Sequence, residues 1–176
     1  MHKTIKVIVV AMLTLFLSVV GCQSLPESSD GTASEGNRIG NKAPDFQLDN
    51  LEGQSVSLRD FRGSPVLINF WATWCGYCIY EMPFLEEIKE EWADRGLEIL
   101  AVDSGESRSR VEAFLETNDI SLLVLLDTDK SVTRKYLISG FPTTFFIDKD
   151  GIIREIIIGA FPSKGAIERV LTRVFP

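Results

Sequence analysis

Histidine is almost missing from this sequence, because the only one among 176 residues is His2, at the very start. Acyl hydrolysis by a cysteine–histidine pair therefore lacks its base in the body of the chain. A copper carrier that binds through cysteine and histidine lacks its ligands for the same reason. The scarcity of one residue type thus removes several classes of enzyme and metal protein.

Cysteine is also scarce: Cys22, Cys75 and Cys78 are the only three. A structural zinc ion needs four cysteine or histidine ligands. Cys75 and Cys78 together supply two, and only a site shared between two molecules could complete the set. We therefore predict no metal and no cofactor.

The chain contains no basic run, and its net charge is −7. Surfaces that bind nucleic acid or anionic membranes are usually basic, so we expect no nucleic-acid partner. Apolar residues make up 45% and charged residues 24%, a balance typical of a globular domain. The length suits one domain with a short extension.

A single long hydrophobic run is present, at residues 7–20, behind Lys3 and Lys6. It is short for a membrane-spanning helix and fits the core of a signal peptide, which we predict at residues 1–21. A permanent N-terminal anchor helix remains the alternative.

The run ends in "VVGC", residues 19–22, which resembles the lipobox of bacterial lipoproteins with valine in place of the usual leucine. The resemblance implies cleavage before Cys22 and lipid attachment to that cysteine, which would hold the protein at a membrane. Residues 22–40 are rich in Ser, Gly, Glu and Asp and are predicted to be a flexible tether. The folded domain is predicted at residues 41–176.

The domain alternates between strand and helix patterns. Residues 43–58 predict a hairpin that turns at Glu52-Gly53, and Lys149-Asp150-Gly151 predicts a second tight turn. Apolar runs predict strands at 65–72, 97–103, 122–127, 143–148 and 151–158. Periodic apolar residues predict helices at 76–95, 107–119, 129–138 and 163–174. Asp129 is predicted to cap the third of these helices. This order predicts an α/β fold whose central sheet is mixed.

Cys75 and Cys78 lie in "FWATWCGYCIYEMP", residues 70–83, between a predicted strand and a predicted helix. A structural disulfide here would close a very small loop and stabilise little. Free N–H groups at a helix start stabilise a thiolate, the species that attacks disulfides. A redox dithiol therefore explains the pair better than a metal site or a staple.

The segment "NFWATWCGYC" resembles the active site of thioredoxins, and Pro83 stands where thioredoxins carry a helix-kinking proline. "GFPTTFFID", residues 140–148, resembles the thioredoxin segment that contains a cis-proline, which would be Pro142. The first hairpin and the extra α-β unit at 107–127 resemble the TlpA/ResA/CcmG group of membrane-tethered thiol-disulfide oxidoreductases. The resemblance covers residues 40–175 and implies a thioredoxin-like mixed sheet flanked by helices, with an N-terminal β-hairpin and an α-β insertion.

The resemblance also implies roles for individual residues. Cys75 would be the nucleophile and Cys78 the resolving cysteine. The Phe141–Pro142 peptide would be cis, so that a substrate chain can lie beside the dithiol like an added strand. Trp74, next to Cys75, would help to shape that surface.

Two positions depart from thioredoxins. Asn69 stands where thioredoxins have a buried aspartate, and an asparagine cannot accept the proton of the inner thiol. Glu81 lies three residues after Cys78, on the same helix face, and we predict that it accepts and returns that proton. The alternative is an exposed glutamate without a role. The second departure, Gly76-Tyr77 between the cysteines, leaves the redox potential open.

The sequence therefore predicts a lipid-anchored, extracytoplasmic, monomeric enzyme that reduces protein disulfides and is re-reduced by a membrane electron donor. The resemblance suggests apocytochrome c as a substrate. A disulfide oxidase or isomerase of the same fold, and a tethered binding lipoprotein with an inert cysteine pair, stay open. A peroxidase is disfavoured because Ala72 stands where peroxiredoxins need threonine.

Overall fold

The computed structural model describes residues 33–175 of the chain. The predicted signal peptide, Cys22 and the first part of the predicted tether lie outside the described residues. Residues 33–42 run along the domain: Glu35 pairs with Lys42, and the Gly40 N–H donates to the carbonyl of Ile153 at 2.8 Å. No helix within residues 33–175 combines the length and apolar character needed to cross a bilayer.

Seven strands and four helices make up the domain. The strands are β1 (Gln47–Asn50), β2 (Ser55–Ser57), β3 (Val66–Trp71), β4 (Glu98–Ser104), β5 (Leu123–Asp127), β6 (Thr143–Ile147) and β7 (Ile153–Ile158). The helices are α1 (Gly76–Trp92), α2 (Arg108–Asn118), α3 (Ser131–Lys135) and α4 (Lys164–Val174). The predicted order of strands and helices is confirmed.

The strands form one sheet in the order β2-β1-β5-β4-β3-β6-β7. The neighbours β3, β4 and β5 are parallel. Strand β6 runs antiparallel to both β3 and β7, and β1 runs antiparallel to both β5 and β2. The sheet is therefore mixed, and the predicted α/β class with a thioredoxin-like sheet is confirmed. The carboxyl end of β3 lies at the edge where α/β proteins place their ligand chemistry.

All six residues of β3 are buried, since helices cover both faces of the sheet. Leu67 and Trp71 face the core layer under α1, α2 and α4, and Ile68 and Phe70 face the layer that includes α3. Side chains alternate between the faces of a strand, so Asn69 belongs to the first layer. This alternation brings Asn69 to the helix that carries the dithiol.

The predicted helix at 129–138 is wrong in length, because α3 covers only five residues, with Lys130 as its N-cap. Asp129 accepts a bond from the Ser131 N–H at 2.9 Å. The deeper N–H groups of Val132 and Thr133 donate to the carboxylate of Asp127 at 3.1 and 2.7 Å. A buried acid at the end of β5, rather than Asp129 alone, thus organises the start of this helix.

Candidate functional site

The loop after β3 delivers Cys75 to the first turn of α1. Cys75 is the N-cap residue, with extended backbone angles, and its Sγ accepts a hydrogen bond from the Cys78 N–H at 3.2 Å. N-cap positions face N–H groups that have no partner within the helix. A sulfur at this position meets donors and the positive end of the helix dipole, both of which favour a thiolate.

Cys75 and Cys78 form a disulfide with a Cα–Cα distance of 5.2 Å. Cys75 retains 6% of its accessible surface, whereas Cys78 retains none. Because an incoming thiol or disulfide must reach the sulfur that it attacks, Cys75 is the more accessible of the two to another molecule. The arrangement gives the two cysteines the unequal access that a nucleophile and a resolving cysteine require.

Glu81 lies one turn beyond Cys78 on α1 and is fully buried. Its Oε1 accepts a hydrogen bond from Asn69 Nδ2 at 2.8 Å, and its Oε2 accepts one from the Phe161 N–H at 2.8 Å. Burial raises the pKa of the Glu81 carboxyl to about 7, and the two hydrogen bonds only partly oppose this rise. A group with this pKa can both hold and release a proton near neutral pH.

Asn69 is also fully buried, and its Nδ2 donates to Thr144 Oγ1 at 3.0 Å as well as to Glu81. The Asn69 Oδ1 has no hydrogen-bond partner among the described residues. Asn69 therefore acts as a donor that orients Glu81, and Glu81 is the buried acid on this side of the dithiol.

The peptide bond between Phe141 and Pro142 is cis. Phe141 stands in a T-shaped contact with Trp74, with ring centroids 5.8 Å apart. Trp74 is 62% exposed despite its size. Of the three residues predicted to bind substrate, the structure thus brings Trp74, next to Cys75, into contact with Phe141, whereas Pro142 is buried behind Phe141 in the chain.

Two exposed tyrosines extend this apolar surface along α1. Tyr77, between the cysteines, is 74% exposed, and Tyr80 is 54% exposed. The Tyr80 hydroxyl donates to the carbonyl of Pro162 at 3.1 Å, and its ring packs against Phe84. The helical spacing of these residues, three apart, was the available signal for a shared aromatic face.

A pair of acids, Asp103 and Glu106, supports the loop before Cys75. The sequence alone did not reveal this pair. Both oxygens of Glu106 accept bonds from Thr73, at 2.6 Å from its N–H and 2.8 Å from its hydroxyl. Glu106 also pairs with Arg110 at 2.7 Å and donates its own N–H to Asp103 at 3.1 Å. The available signal was Glu106, an acid two residues after the buried strand β4, at the sheet edge where Cys75 emerges.

The pKa values of Asp103 and Glu106 are shifted in opposite directions. Burial, reinforced by the neighbouring Glu106, raises the pKa of Asp103 to about 8. Burial also disfavours the charged form of Glu106, but the bonds from Thr73 outweigh it and leave the pKa of Glu106 below its usual range. Glu106 is therefore the charged member and Asp103 the protonated member near neutral pH.

No cluster of three or more metal-ligating side chains exists among residues 33–175. The chemistry that the described site supports is thiol-disulfide exchange at Cys75, with Cys78 and Glu81 behind it.

The chain is similar in sequence to proteins of one known family. The sequence model of the AhpC/TSA family matches residues 39–156. The thiol-disulfide oxidoreductase ResA of Geobacillus kaustophilus is 41% identical over 138 residues, which cover 78% of this chain and 79% of that protein. The thioredoxin-like protein YneN of Bacillus subtilis is 40% identical over 128 residues, 71% of this chain and 74% of that protein.

The fold is also similar to solved structures of proteins described as thiol:disulfide interchange proteins or thioredoxins. A Chlorobium tepidum protein described as the thiol:disulfide interchange protein DsbE superposes with a TM-score of 0.73 at 30% identity, over 82% of this chain and 99% of that one. The exposed lipoprotein thioredoxin of Streptococcus pneumoniae superposes with a TM-score of 0.66 at 31% identity, over 74% of this chain and 99% of that one.

Proposed function

The chain belongs to the AhpC/TSA family and is a thiol-disulfide oxidoreductase, and we propose that it works as a membrane-tethered reductase of protein disulfides. The observation that carries the proposal is the buried Glu81 one turn beyond the enclosed Cys78, with Cys75 the more accessible of the two cysteines. Each of the three has a distinct task in the reaction.

The first step is an attack by the Cys75 thiolate on one sulfur of the substrate disulfide. The substrate S–S bond breaks, a Cys75–substrate disulfide forms, and the released substrate thiolate takes up a proton. Cys78 then gives its proton to the Glu81 carboxylate, and its thiolate attacks Cys75. The Cys75–substrate bond breaks and the second substrate sulfur leaves as a thiolate, which takes up a proton as Glu81 releases the one it received. The substrate thus gains two electrons and two protons while the Cys75–Cys78 disulfide forms.

Glu81 also supports the reducing direction. A buried carboxylate beside the dithiol disfavours a thiolate in the reduced protein, because like charges repel in a poorly solvated site. Destabilising the reduced form favours the disulfide and lowers the reduction potential. Strong disulfide donors do the reverse and stabilise their reduced form.

The substrate chain is proposed to bind across Trp74, Phe141 and Pro142. Trp74 is exposed and Phe141 is half-buried against it, and the buried Pro142 fixes the backbone of the loop that carries Phe141. An extended segment lying there presents its disulfide to Cys75, in the manner of an added strand.

The proposed location is the outer face of a membrane, with a lipid on Cys22. The "VVGC" box after the hydrophobic run supports this, as does the similarity to an exposed lipoprotein thioredoxin. A Cys22→Ser variant should move from the membrane fraction to the soluble fraction, whereas a Cys75→Ser control stays with the membrane. An uncleaved anchor helix would instead keep both variants membrane-bound.

The proposed partners are a membrane thiol-disulfide electron donor and apocytochrome c, whose cysteines must be reduced before haem attachment. The enzyme would act on them as a monomer. Deletion of the gene should lower the content of c-type cytochromes, and an added small dithiol should restore it. Unchanged cytochrome content would remove apocytochrome c from the proposal without affecting the reductase activity.

The decisive measurement is the reduction potential of the Cys75–Cys78 pair. A reductase should lie near the value of thioredoxin, about −270 mV, rather than near a disulfide donor at about −120 mV. A value close to −120 mV would favour the oxidase alternative and overturn the reducing direction.

A further inference from the structure

A groove of about 580 Å³ opens between Trp74 and the loop that contains Pro142. We call it the cationic groove; its lining includes Trp74, Ser104, Lys130, Arg134 and residues 138–141. It begins at the residue before Cys75, so a chain that reaches the nucleophile along the cis-proline loop passes through it.

The only charged residues in this lining are the cations Lys130 and Arg134. This is unusual for a chain with a net charge of −7. Neither cation forms a salt bridge within the described part of the chain. Arg134 Nη1 donates to the carbonyl of Asp129 at 2.7 Å. After the bond from the Ser131 N–H, the charge of Arg134 helps to lower the pKa of the Asp129 carboxyl without forming a salt bridge with it.

Among the described residues, the acids near the groove form no salt bridge with Lys130 or Arg134. The carboxylate of Asp127 is buried and accepts the N–H groups of Val132 and Thr133. Asp129 accepts the Ser131 N–H at 2.9 Å, and Glu106 is paired with Arg110. The positive charge of Lys130 and Arg134 is therefore directed towards solvent and towards whatever enters the groove.

The position of Lys130 is fixed by its backbone and by a glycine beneath it. Lys130 adopts a left-handed conformation with φ of 60°, which is uncommon outside glycine, and its N–H donates to the carbonyl of Asp127 at 2.9 Å. A Cβ on Gly105 would lie 2.1 Å from Lys130 Cε, so the lysine stem lies directly across Gly105. The aliphatic part of the Lys130 side chain thus lies over Gly105, and Lys130 lines the groove.

The opposite wall is apolar. Trp74 and Phe141 stand edge to face, and Ile138 adds an aliphatic side chain. A partner that fits both walls combines apolar residues with negative charge next to its disulfide.

We propose that the cationic groove selects polypeptide segments that carry acidic side chains beside the disulfide, with Lys130 and Arg134 as the specificity-determining residues. The inference rests on the proposed function, because it assigns a substrate class to the same dithiol. Charges at the rim of a binding surface act mainly on the association rate and lose their effect as salt increases.

The test uses the full-length protein, reduced and purified in detergent, and three synthetic peptides. The peptides share one Cys-Xaa-Xaa-Cys disulfide and differ only in two flanking residues, which are Glu, Gln or Lys. At low salt the second-order rate constant should be about tenfold higher for the Glu peptide than for the Lys peptide. The difference should disappear near 1 M salt, where the screening length is about 3 Å.

The variant that tests the assignment is Lys130→Glu/Arg134→Glu, which should reverse the order of the peptides. A matched control is Arg95→Glu/Lys149→Glu, which changes the net charge equally at the opposite end of the sheet, where both residues line another groove. The control should keep the preference of the wild type. Equal rates for all three peptides, or equal effects of the two double variants, would overturn the inference.

The same peptides separate this inference from the reducing direction. If the reduced protein reduces none of them, the oxidised protein is mixed with the reduced peptides, since exchange in either direction requires the same encounter. A preference for the Glu peptide in that direction supports the cationic groove and contradicts the reductase proposal. No exchange in either direction contradicts both.

Discussion

Asn69 and Glu81 share a buried hydrogen bond of 2.8 Å, from an amide in the central strand β3 to a carboxylate on the helix of the dithiol. The bond joins the position where thioredoxins have an aspartate to a glutamate one turn behind Cys78. Asn69 supplies a donor and cannot accept the thiol proton, whereas Glu81 can. In this protein the buried acid beside the dithiol thus lies on the helix instead of the strand, in the same core layer as Asn69.

Replacement of Glu81 by glutamine should slow disulfide exchange by about tenfold or more at pH 7, because the proton of Cys78 loses its acceptor. In the wild type the rate should rise as the pH passes through about 7, where Glu81 becomes a carboxylate. The variant should lack this contribution and retain only the rise that comes from ionisation of the attacking thiol. Stopped-flow kinetics with a peptide disulfide between pH 5 and 9 measure both effects.

Glu90→Gln is the matched control, because Glu90 lies on the same helix with its side chain exposed. It should leave the pH profile unchanged. If Glu81→Gln alters neither the exchange rate nor the pKa values of the thiols, Glu81 has no part in the proton transfer.

The stability of the oxidised protein should also depend on Glu81. Its pKa is about 7 in the folded protein and near 4.5 in the unfolded chain, so the folded state binds the proton more tightly. The stabilisation linked to this proton is complete below pH 4.5 and is lost as the pH rises through 7. The free energy of unfolding of the wild type, measured relative to that of Glu81→Gln, should therefore fall by about 3 kcal/mol between pH 4 and pH 9.

Urea unfolding of both oxidised proteins across this pH range measures the difference. Comparison with Glu81→Gln removes the contribution of other titrating groups, such as Asp103. A difference between the two proteins that stays constant with pH would mean that Glu81 has an ordinary pKa.

The sequence predicts the alternation of strands and helices and the helix face that Glu81 occupies, because both follow from local periodicity. Cys78, Met82, Leu85 and Ile88 form the buried stripe of α1, and Glu81 falls within it. The spacing alone thus places an acid beside the inner cysteine. Its second partner, the Phe161 N–H, lies 80 residues away in sequence and follows only from the packing of the chain after β7.

The parts that the sequence does not predict depend on contacts between distant segments. Glu106 reaches Thr73 because the parallel strands β3 and β4 end at the same edge of the sheet. The cationic groove likewise needs Trp74 to lie opposite Lys130 and Arg134, which come from different connections. Neither arrangement leaves a periodic pattern in the chain.

Asp127 should contribute strongly to stability, because its buried carboxylate holds the start of α3. Val132 and Thr133 donate their N–H groups to it, and the Thr133 hydroxyl donates at 2.6 Å. Asp127→Ala leaves these donors without a partner and should cost about 3 kcal/mol of unfolding free energy. Asp129→Ala, at an exposed position with one such bond, should have a much smaller effect in the same denaturation experiment. Equal losses would show that Asp127 does not organise this turn.

The unequal exposure of the two sulfurs predicts which single-cysteine variant captures substrates. In Cys78→Ser, the accessible Cys75 should attack a partner and remain attached to it, because the resolving thiol is missing. In Cys75→Ser, the fully buried Cys78 should capture none. Cells that express either variant are quenched with acid and alkylated, and their proteins are compared on non-reducing gels. Mixed disulfides that collapse on reduction should appear with Cys78→Ser alone, whereas equal trapping by both variants would contradict the assignment of Cys75 as the nucleophile.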